Sequence, residues 1–421
     1  MIKRPKEISN IFKKISAGGY DVYCAGQCIV AAAVGEEAYE WDIYTDCSRE
    51  KLCEIFPEGE KIGKRTLRLD YSEEIVSDDL DAADGYDGII ADIITLDGSM
   101  EDRLKIYDYT VEAVAESLHG KPIDPFGGRE DAKKLILKPV GDIVKSFERT
   151  PVKVLTAIKY TSLYNFDLSK ELSEIIAENN NILGRANRED ILTEFTLLMS
   201  GDYAGKAMKM LVGLNLLQYI VGKKAAKTTK AEAKEYGVLA ENIGRTKPIP
   251  LRRLGLFYMR FAKNYKDAVE YLPHQEQDLD YLLSAKNSIR SIHFINNDTE
   301  LKRYIHRHGW DKYYYIDKLQ KAEAIVFDAN RHKIEARDFL LREVKNKRDP
   351  IFSEDLVIDA NDIMEAGITE DAERAAWLLS LLPDVVHRRP QDNDRKILLK
   401  CAKNFNRSRF RRAVRDVNWL R

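Results

Sequence analysis

The stretch from Tyr23 to Asp46 decides the fold, and it reads YCAGQCIVAAAVGEEAYEWDIYTD. Residues Val22 to Cys24 have the pattern of a short strand, which Ala25-Gly26 interrupts. The apolar run from Ile29 to Val34 predicts a small helix, and Gly35 can end this helix by adopting a left-handed conformation. The stretch therefore begins as a strand, a glycine turn and a helix.

A second strand is predicted from Trp41 to Thr45, after the polar turn Glu36-Glu37. The two-residue period of a strand places Glu40, Asp42 and Tyr44 on one face. Two carboxylates on one strand face, beside a glycine turn that opens a helix, can hold Mg²⁺ and the phosphates of a nucleotide. The stretch thus predicts an α/β unit with a candidate site for metal and phosphate.

Length and composition exclude several classes of protein. The chain has 421 residues, 44% of them hydrophobic, which is enough for about three or four domains with sizeable cores. No apolar run approaches the roughly 18 to 20 residues of a membrane span, and the charged segment 1–15 does not read as a secretory signal. Five cysteines, an odd number, favour buried thiols over a disulfide framework. We expect a cytoplasmic protein without a membrane partner.

Charge is distributed unevenly, although the net charge is only −2. Residues 383–421 contain 12 Lys and Arg against 4 Asp and Glu, whereas residues 36–92 contain 6 against 18. A basic end and an acidic N-terminal part indicate a protein that binds a polyanion at one end and a metal at the other.

Residues 405–421, FNRSRFRRAVRDVNWLR, interleave aromatic and basic side chains. This pattern favours contact with an RNA backbone together with base stacking. The alternative is a solvated C-terminal helix whose apolar side chains dock on the preceding helices. On the first interpretation the RNA-binding residues are Arg407, Arg409, Arg411 and Arg412.

Helices dominate the chain from Asp108 onward, and no strand pairing is expected after about residue 145. One helix is predicted at 147–163, with Thr150 as its N-cap and Pro151 in its first turn. Four more are predicted at 170–178, 188–199, 204–212 and 230–241. The fold class is therefore α+β, with an N-terminal α/β head followed by helices only.

The opening stretch resembles the head of the tRNA nucleotidyltransferase and bacterial poly(A) polymerase family. That family has the patterns G-G-x-V-R-D and D-x-D-I-x-T, which read AGQCIV at 25–30 and EWDIYT at 40–45 in this chain. Downstream, DYTVEA at 108–113 is similar to D-F-T-x-N-A, and IDPFGGRED at 123–131 closely follows I-D-P-F-G-G-x-x-D. Further similar stretches at 188–220 and 355–368 keep the family's order.

The resemblance implies four parts and a catalytic site. It implies a catalytic nucleotidyltransferase head at 1–118, a nucleotide-recognising helical neck at 119–200, a helical body at 201–345 and an RNA-binding helical tail at 346–421. Within the head, Glu40 and Asp42 take the positions that bind Mg²⁺ or Mn²⁺, and Asp92 and Asp108 support them. For Asp92, an ion pair with a basic residue between Lys61 and Arg68 is the alternative.

Several family residues that hold the nucleotide are replaced. Ile29 and Ile106-Tyr107 stand where the family has arginines, and Lys153 stands where the family has the arginine of E-D-x-x-R. A lysine offers a point charge in place of a bidentate fork. The positions implied to bind the nucleotide are Gly26, Gln27, Arg149 and Lys153.

Three functions are compatible with this sequence. The leading hypothesis is a template-independent nucleotidyltransferase that adds nucleotides (CCA or A) to the 3′ end of tRNA or another RNA, uses ATP and CTP, and releases pyrophosphate in a two-metal mechanism. The second is a catalytically inactive RNA-binding relative, and the third is a transferase with another acceptor. The sequence leaves all three open.

Overall fold

The computed structural model describes residues 2–75, 85–118, 121–223, 230–327 and 331–407. It divides into two compact units, Met1–Leu283 and Ser284–Arg421. The boundary between them falls inside the segment 201–345 that the sequence assigns to a body. The division into head, neck, body and tail stays a prediction.

The first unit begins with a six-stranded sheet in the order β3-β4-β7-β2-β1-β8. Strand β2 runs parallel to β7 and antiparallel to β1, and β4 runs antiparallel to β7. A separate two-stranded ribbon is formed by β5 and β6. The helices and strands of this part are α1 (Lys6–Ala17), β1 (Val22–Ala25), α2 (Gln27–Val34), β2 (Glu40–Thr45), α3 (Arg49–Ile55), β3 (Glu60–Ile62), β4 (Thr66–Asp70), β5 (Glu73–Ile75), β6 (Gly85–Asp87), β7 (Ile90–Thr95), α4 (Met100–Leu104) and β8 (Ala115–Ser117).

The strand–helix–strand prediction for the opening stretch is confirmed. Gly35 ends α2 in the left-handed conformation, with φ of 85°, as the sequence predicts. Alternate residues of β2 belong to two cores: Trp41 and Ile43 pack with the apolar face of α1, while Tyr44 packs with Met100 of α4. The face that carries Tyr44 also carries Asp42.

The motif at 123–131 fixes the turn between the sheet and the next helix. The carboxylate of Asp124 accepts hydrogen bonds from the backbone N–H groups of Gly128 and Arg129. Gly127 has φ of 74°, a left-handed conformation that favours glycine. Gly128 does not share that conformation; a Cβ there would lie 1.8 Å from the carbonyl oxygen of Thr110, so close approach of two backbones requires this glycine.

The rest of the first unit is almost entirely helical. A short parallel pair of strands, β9 with β10, is the exception, so the expectation of no strand pairing after residue 145 is wrong at this point. The elements are α5 (Gly128–Lys133), β9 (Ile136–Leu137), α6 (Ile143–Arg149), α7 (Lys153–Tyr164), β10 (Asp167–Leu168), α8 (Lys170–Glu178), a 3₁₀ helix (Asn180–Arg185), α9 (Arg188–Ser200), α10 (Ala204–Gly213), α11 (Gln218–Val221), α12 (Lys230–Gly244), α13 (Pro250–Phe261), α14 (Tyr265–Val269) and the first half of α15 (Glu276–Ile292), whose remaining residues belong to the second unit.

The single helix predicted at 147–163 is wrong. Two helices, α6 and α7, occupy this region, and Thr150 is the C-cap of the first and not the N-cap of the second. Pro151 has no backbone N–H for a continuous helix and restricts the residue before it. The four other predicted helices are present as α8, α9, α10 and α12.

The second unit is helical in the part that the structure describes. Its helices after α15 are α16 (Asp298–His308), α17 (Trp310–Phe327), α18 (Arg331–Lys347), α19 (Ala360–Glu365), α20 (Ala372–Ser380), α21 (Pro383–Arg388) and α22 (Arg395–Arg407). Leu378 and Leu398 are central to the core of its C-terminal part. The fully buried Lys302 ammonium lies 2.8 Å from a carboxylate oxygen of Asp349. A buried charge of this kind is stable only with such a partner.

All five cysteines are unpaired. Among the described residues, no helix combines the length and the apolar character that crossing a bilayer demands.

Candidate active site

Two carboxylates face each other across adjacent parallel strands. Asp42 of β2 is directly opposite Asp92 of β7. Burial and the negative charge of Asp92 raise the pKa of Asp42 to about 6, against an opposing effect of Arg103. A bound cation would favour the ionised form of Asp42, because its positive charge would offset the repulsion from Asp92.

Asp92 is already paired. Arg68 of β4 lies opposite Asp92 on the other side of β7. Its Nε and Nη2 each donate a hydrogen bond of 2.8 Å, one to each carboxylate oxygen of Asp92. Arg68 is one of the basic residues that the sequence offers as alternative partners, so the fork of the arginine holds the carboxylate that the resemblance places beside the metal.

The glycine turn lies directly beside Asp42. Gly26 opens α2 with φ of 79°. A Cβ at this position would lie 3.0 Å from Oδ2 of Asp42 and 3.1 Å from the hydroxyl oxygen of Tyr107. Gln27, the next residue, donates a hydrogen bond of 3.2 Å to the hydroxyl of Tyr164 at the end of α7. The turn therefore connects the carboxylates of the sheet with the helices that follow.

Arg103 joins this group, although the sequence analysis did not identify it. Its Nη2 donates a hydrogen bond of 3.1 Å to the hydroxyl of Tyr44, which lies 2.8 Å from the hydroxyl of Tyr107. The guanidinium carbon lies 5.1 Å from the ring centre of Tyr44 and 5.7 Å from that of Tyr107. In the sequence, Arg103 is marked only by lying five residues before Asp108. Its contact with Tyr44 of β2 depends on tertiary packing, which local sequence patterns do not predict.

Asp108 and Lys153, predicted to serve the metal site and the nucleotide respectively, contact each other. The Lys153 ammonium lies 2.5 Å from Oδ2 of Asp108, and the hydroxyl of Ser146 donates to Oδ1 of the same carboxylate. Lys153 also donates a hydrogen bond of 3.2 Å to Ser146. The predicted catalytic carboxylate and the predicted nucleotide-binding cation therefore form an ion pair at the start of α7. Arg149, the other predicted nucleotide-binding residue of this segment, is exposed.

A half-buried acid, Glu112, lies near this ion pair. The hydroxyl of Tyr160 donates a hydrogen bond to the carboxylate of Glu112. Burial raises the pKa of Glu112 to about 7, although the hydrogen bond from Tyr160 lowers it. The ring of Tyr109 packs edge-to-face on Tyr160, with 5.8 Å between centroids. Glu112 therefore changes charge close to neutral pH.

The predicted metal ligands are not equally able to bind a divalent cation. Glu40 is exposed at the start of β2 and shares a strand face with Asp42, so these two carboxylates fit a hard cation. Asp92 does not fit while Arg68 occupies both of its oxygens. In the described ranges, no group of three or more His, Cys, Asp and Glu side chains converges in a way that could hold a metal.

The remaining sequence predictions lie elsewhere. Arg407 is exposed at the end of α22, and Arg409, Arg411 and Arg412 lie outside the described residues. A cavity of about 780 Å³ is lined by residues that include Ile29 and Trp41. Neither Asp42 nor Asp92 lines it, so this cavity is separate from the carboxylate site.

Comparison with known proteins gives a consistent set of relatives. No protein-family model matches the chain. The CCA-adding enzyme of Geobacillus stearothermophilus is 27% identical over 222 residues, which cover 52% of this chain and 55% of that enzyme. The CCA-adding enzyme of Anoxybacillus flavithermus is 22% identical over 408 residues, which cover 93% and 95%. The chain spans about half the length of most of the curated relatives it matches.

Solved structures extend the similarity to nearly the whole chain. The crystal structure of the Bacillus stearothermophilus CCA-adding enzyme in complex with CTP superposes with a TM-score of 0.76 at 19% identity, covering 97% of this chain and 100% of that one. The Thermotoga maritima CCA-adding enzyme complexed with tRNA superposes with a TM-score of 0.60 at 15% identity, covering 96% of each chain. The α+β fold predicted from the sequence is confirmed.

Proposed function

The chain belongs to the tRNA nucleotidyltransferase family, and from this premise we propose that it adds nucleotides from nucleoside triphosphates to the 3′ end of tRNA. The observation that carries the proposal is the position of Asp42, beside the Gly26 turn and on the same strand face as Glu40. CTP, ATP and tRNA, which are bound in structures of similar enzymes, are the proposed ligands. We place this reaction in the cytoplasm.

Glu40 and Asp42 are the residues that would hold Mg²⁺ or Mn²⁺. Such an ion supplies positive charge to the triphosphate and makes the RNA 3′ hydroxyl a better nucleophile. The carboxylates contribute by remaining ionised on one strand face, and Asp92 can join them only if it leaves Arg68. The two-metal arrangement of the family therefore needs a rearrangement of one side chain in this protein.

The rest of the site binds and orients the nucleotide. Backbone N–H groups at the start of α2 are the proposed donors to the phosphate oxygens, because helix N-termini bind anions. The RNA 3′ oxygen forms a bond to the α-phosphorus while the bond from that phosphorus to the bridging oxygen breaks, and pyrophosphate leaves. The Asp108–Lys153 ion pair offers one acceptor and one charged donor group to the base.

A catalytically inactive RNA-binding relative is the second candidate. The observation that favours it is the bidentate Arg68–Asp92 pair, which competes with a metal ion for the same oxygens. This candidate predicts tRNA binding that weakens steeply with salt and no incorporation of nucleotide. A transferase with another acceptor would not bind tRNA.

A direct assay separates these possibilities. The protein is incubated with tRNA that lacks its 3′ end and with each labelled nucleoside triphosphate in turn, first in Mg²⁺ and then in Mn²⁺. We expect incorporation by the wild type and a loss of at least about a hundredfold in Asp42→Ala, because a metal-binding carboxylate is removed. Absence of incorporation under all conditions, with tRNA still bound, would refute the transferase and leave the RNA-binding candidate.

A further inference from the structure

Arg103 has a hydrogen-bonding capacity that the described residues do not fill. Its Nη2 donates to the hydroxyl of Tyr44 at 3.1 Å, but its Nε is buried and has no hydrogen-bond partner among the described residues. A guanidinium has five donors in a planar fork. A buried donor without an acceptor costs free energy, so an acceptor that reached this guanidinium would be stabilised there.

The position of this arginine points to the class of acceptor. The hydroxyl groups of Tyr44 and Tyr107 connect Arg103 to the Gly26 turn, where α2 begins. The other arginine of the site, Arg68, has its Nε and Nη2 committed to Asp92. Among the described residues of this site, Arg103 is therefore the arginine that can offer a cation beside the glycine turn.

We propose that Arg103 binds the triphosphate of the incoming nucleotide. The proposal rests on the transfer activity proposed above and adds a residue to it. Positions 29, 106 and 107, where the resemblance implies arginines, carry Ile, Ile and Tyr. Arg103 supplies positive charge in their place, from α4 instead of from the motif, and a guanidinium matches the oxygens of a polyphosphate in a bidentate geometry.

Tyr107 positions this arginine. Its ring and that of Tyr44 lie within 6 Å of the guanidinium carbon, which keeps the charged group against an aromatic surface. Its hydroxyl lies beside Gly26. A triphosphate at the turn would therefore meet the arginine through its free edge, with the tyrosine hydroxyl as a second donor.

Nucleotide binding tests the proposal without requiring catalysis. Dissociation constants for CTP, CMP, ATP and AMP are measured by calorimetry in Mg²⁺ for the wild type, Arg103→Gln and Arg103→Lys. Arg65→Gln, which removes an arginine from an exposed ion pair with Asp97, is the matched control. We expect Arg103→Gln to weaken triphosphate binding about tenfold or more and monophosphate binding less than twofold, with partial recovery in Arg103→Lys.

Each outcome decides the proposal. The proposal is overturned if Arg103→Gln binds triphosphates as tightly as the wild type does, or if it weakens monophosphate binding as much as triphosphate binding. It is also overturned if the wild type binds triphosphates no more tightly than monophosphates. If triphosphate binding depends on Arg103 while the wild type transfers nothing to RNA, the role of Arg103 stands and the proposed transfer activity fails.

Discussion

We expect the carboxyl of Glu112 to make the stability of the first unit depend on pH. The pKa of Glu112 is about 7 in the folded protein, against an ordinary value of 4.5, and burial is the main cause. Because folding raises the pKa of an acid, the folded state holds the proton more tightly than the unfolded state. The resulting penalty is small below pH 4.5, grows as the pH rises and levels off above about 7.

The size of the effect follows from that difference. At about 1.36 kcal/mol per pKa unit, the full penalty is about 3 kcal/mol. Glu112→Gln removes the ionisation, and its amide oxygen can still accept the hydrogen bond from Tyr160. We therefore expect the variant to be more stable than the wild type by less than about 1 kcal/mol at pH 5 and by about 3 kcal/mol at pH 8.

Hydrogen exchange of the amides in α7, followed over a urea series at both pH values, reports the local free energy of unfolding. Glu148→Gln, which removes an exposed carboxylate from α6, is the control and should not reproduce the gain at pH 8. The reasoning is refuted if Glu112→Gln changes the free energy of unfolding equally at pH 5 and pH 8, or if the wild type gains stability relative to the variant as the pH rises.

Two further predictions concern the site and the turn beside it. Arg68→Gln frees the oxygens of Asp92, and Mn²⁺ should then bind about fivefold more tightly. This factor corresponds to the contribution of about 1 kcal/mol that a half-exposed ion pair makes. Unchanged or weaker Mn²⁺ binding by calorimetry would contradict this. Gly128→Ala places a Cβ 1.8 Å from the carbonyl oxygen of Thr110 and should lower the free energy of unfolding by about 3 kcal/mol. Gly127→Ala, with φ of 74° and open space around it, should cost only about 1 kcal/mol, and equal losses in urea unfolding would refute the distinction.

Local sequence patterns predicted the part of the site that lies on one strand. Period-two alternation placed Glu40, Asp42 and Tyr44 on one face of β2, and the structure has this arrangement. Gly35 could be assigned because a left-handed helix end strongly favours glycine. These features depend on residues a few positions apart, so propensity and periodicity determine them.

The partners of the predicted residues could not be found in the same way. Arg68 meets Asp92 because β4 pairs with β7 in one register, and Arg103 meets Tyr44 across 59 positions of sequence. Strand order and tertiary packing set both contacts. The break between α6 and α7 was missed for a local reason. A proline is compatible with the first turn of a helix, but Pro151 also ends the preceding helix.

These contacts show which residues supply positive charge to the carboxylates of the sheet. Positions 29, 106 and 107 carry Ile, Ile and Tyr and supply none. Arg68 pairs with Asp92, and Arg103 opposes the rise in the pKa of Asp42, so two arginines from other elements provide that charge. Of the two, Arg68 is bound to an acid by a fork of hydrogen bonds and Arg103 is not. A nucleotide and its metal should therefore compete with Arg68 and cooperate with Arg103, which is why the Arg68→Gln and Arg103→Gln variants are expected to change ligand affinity in opposite directions.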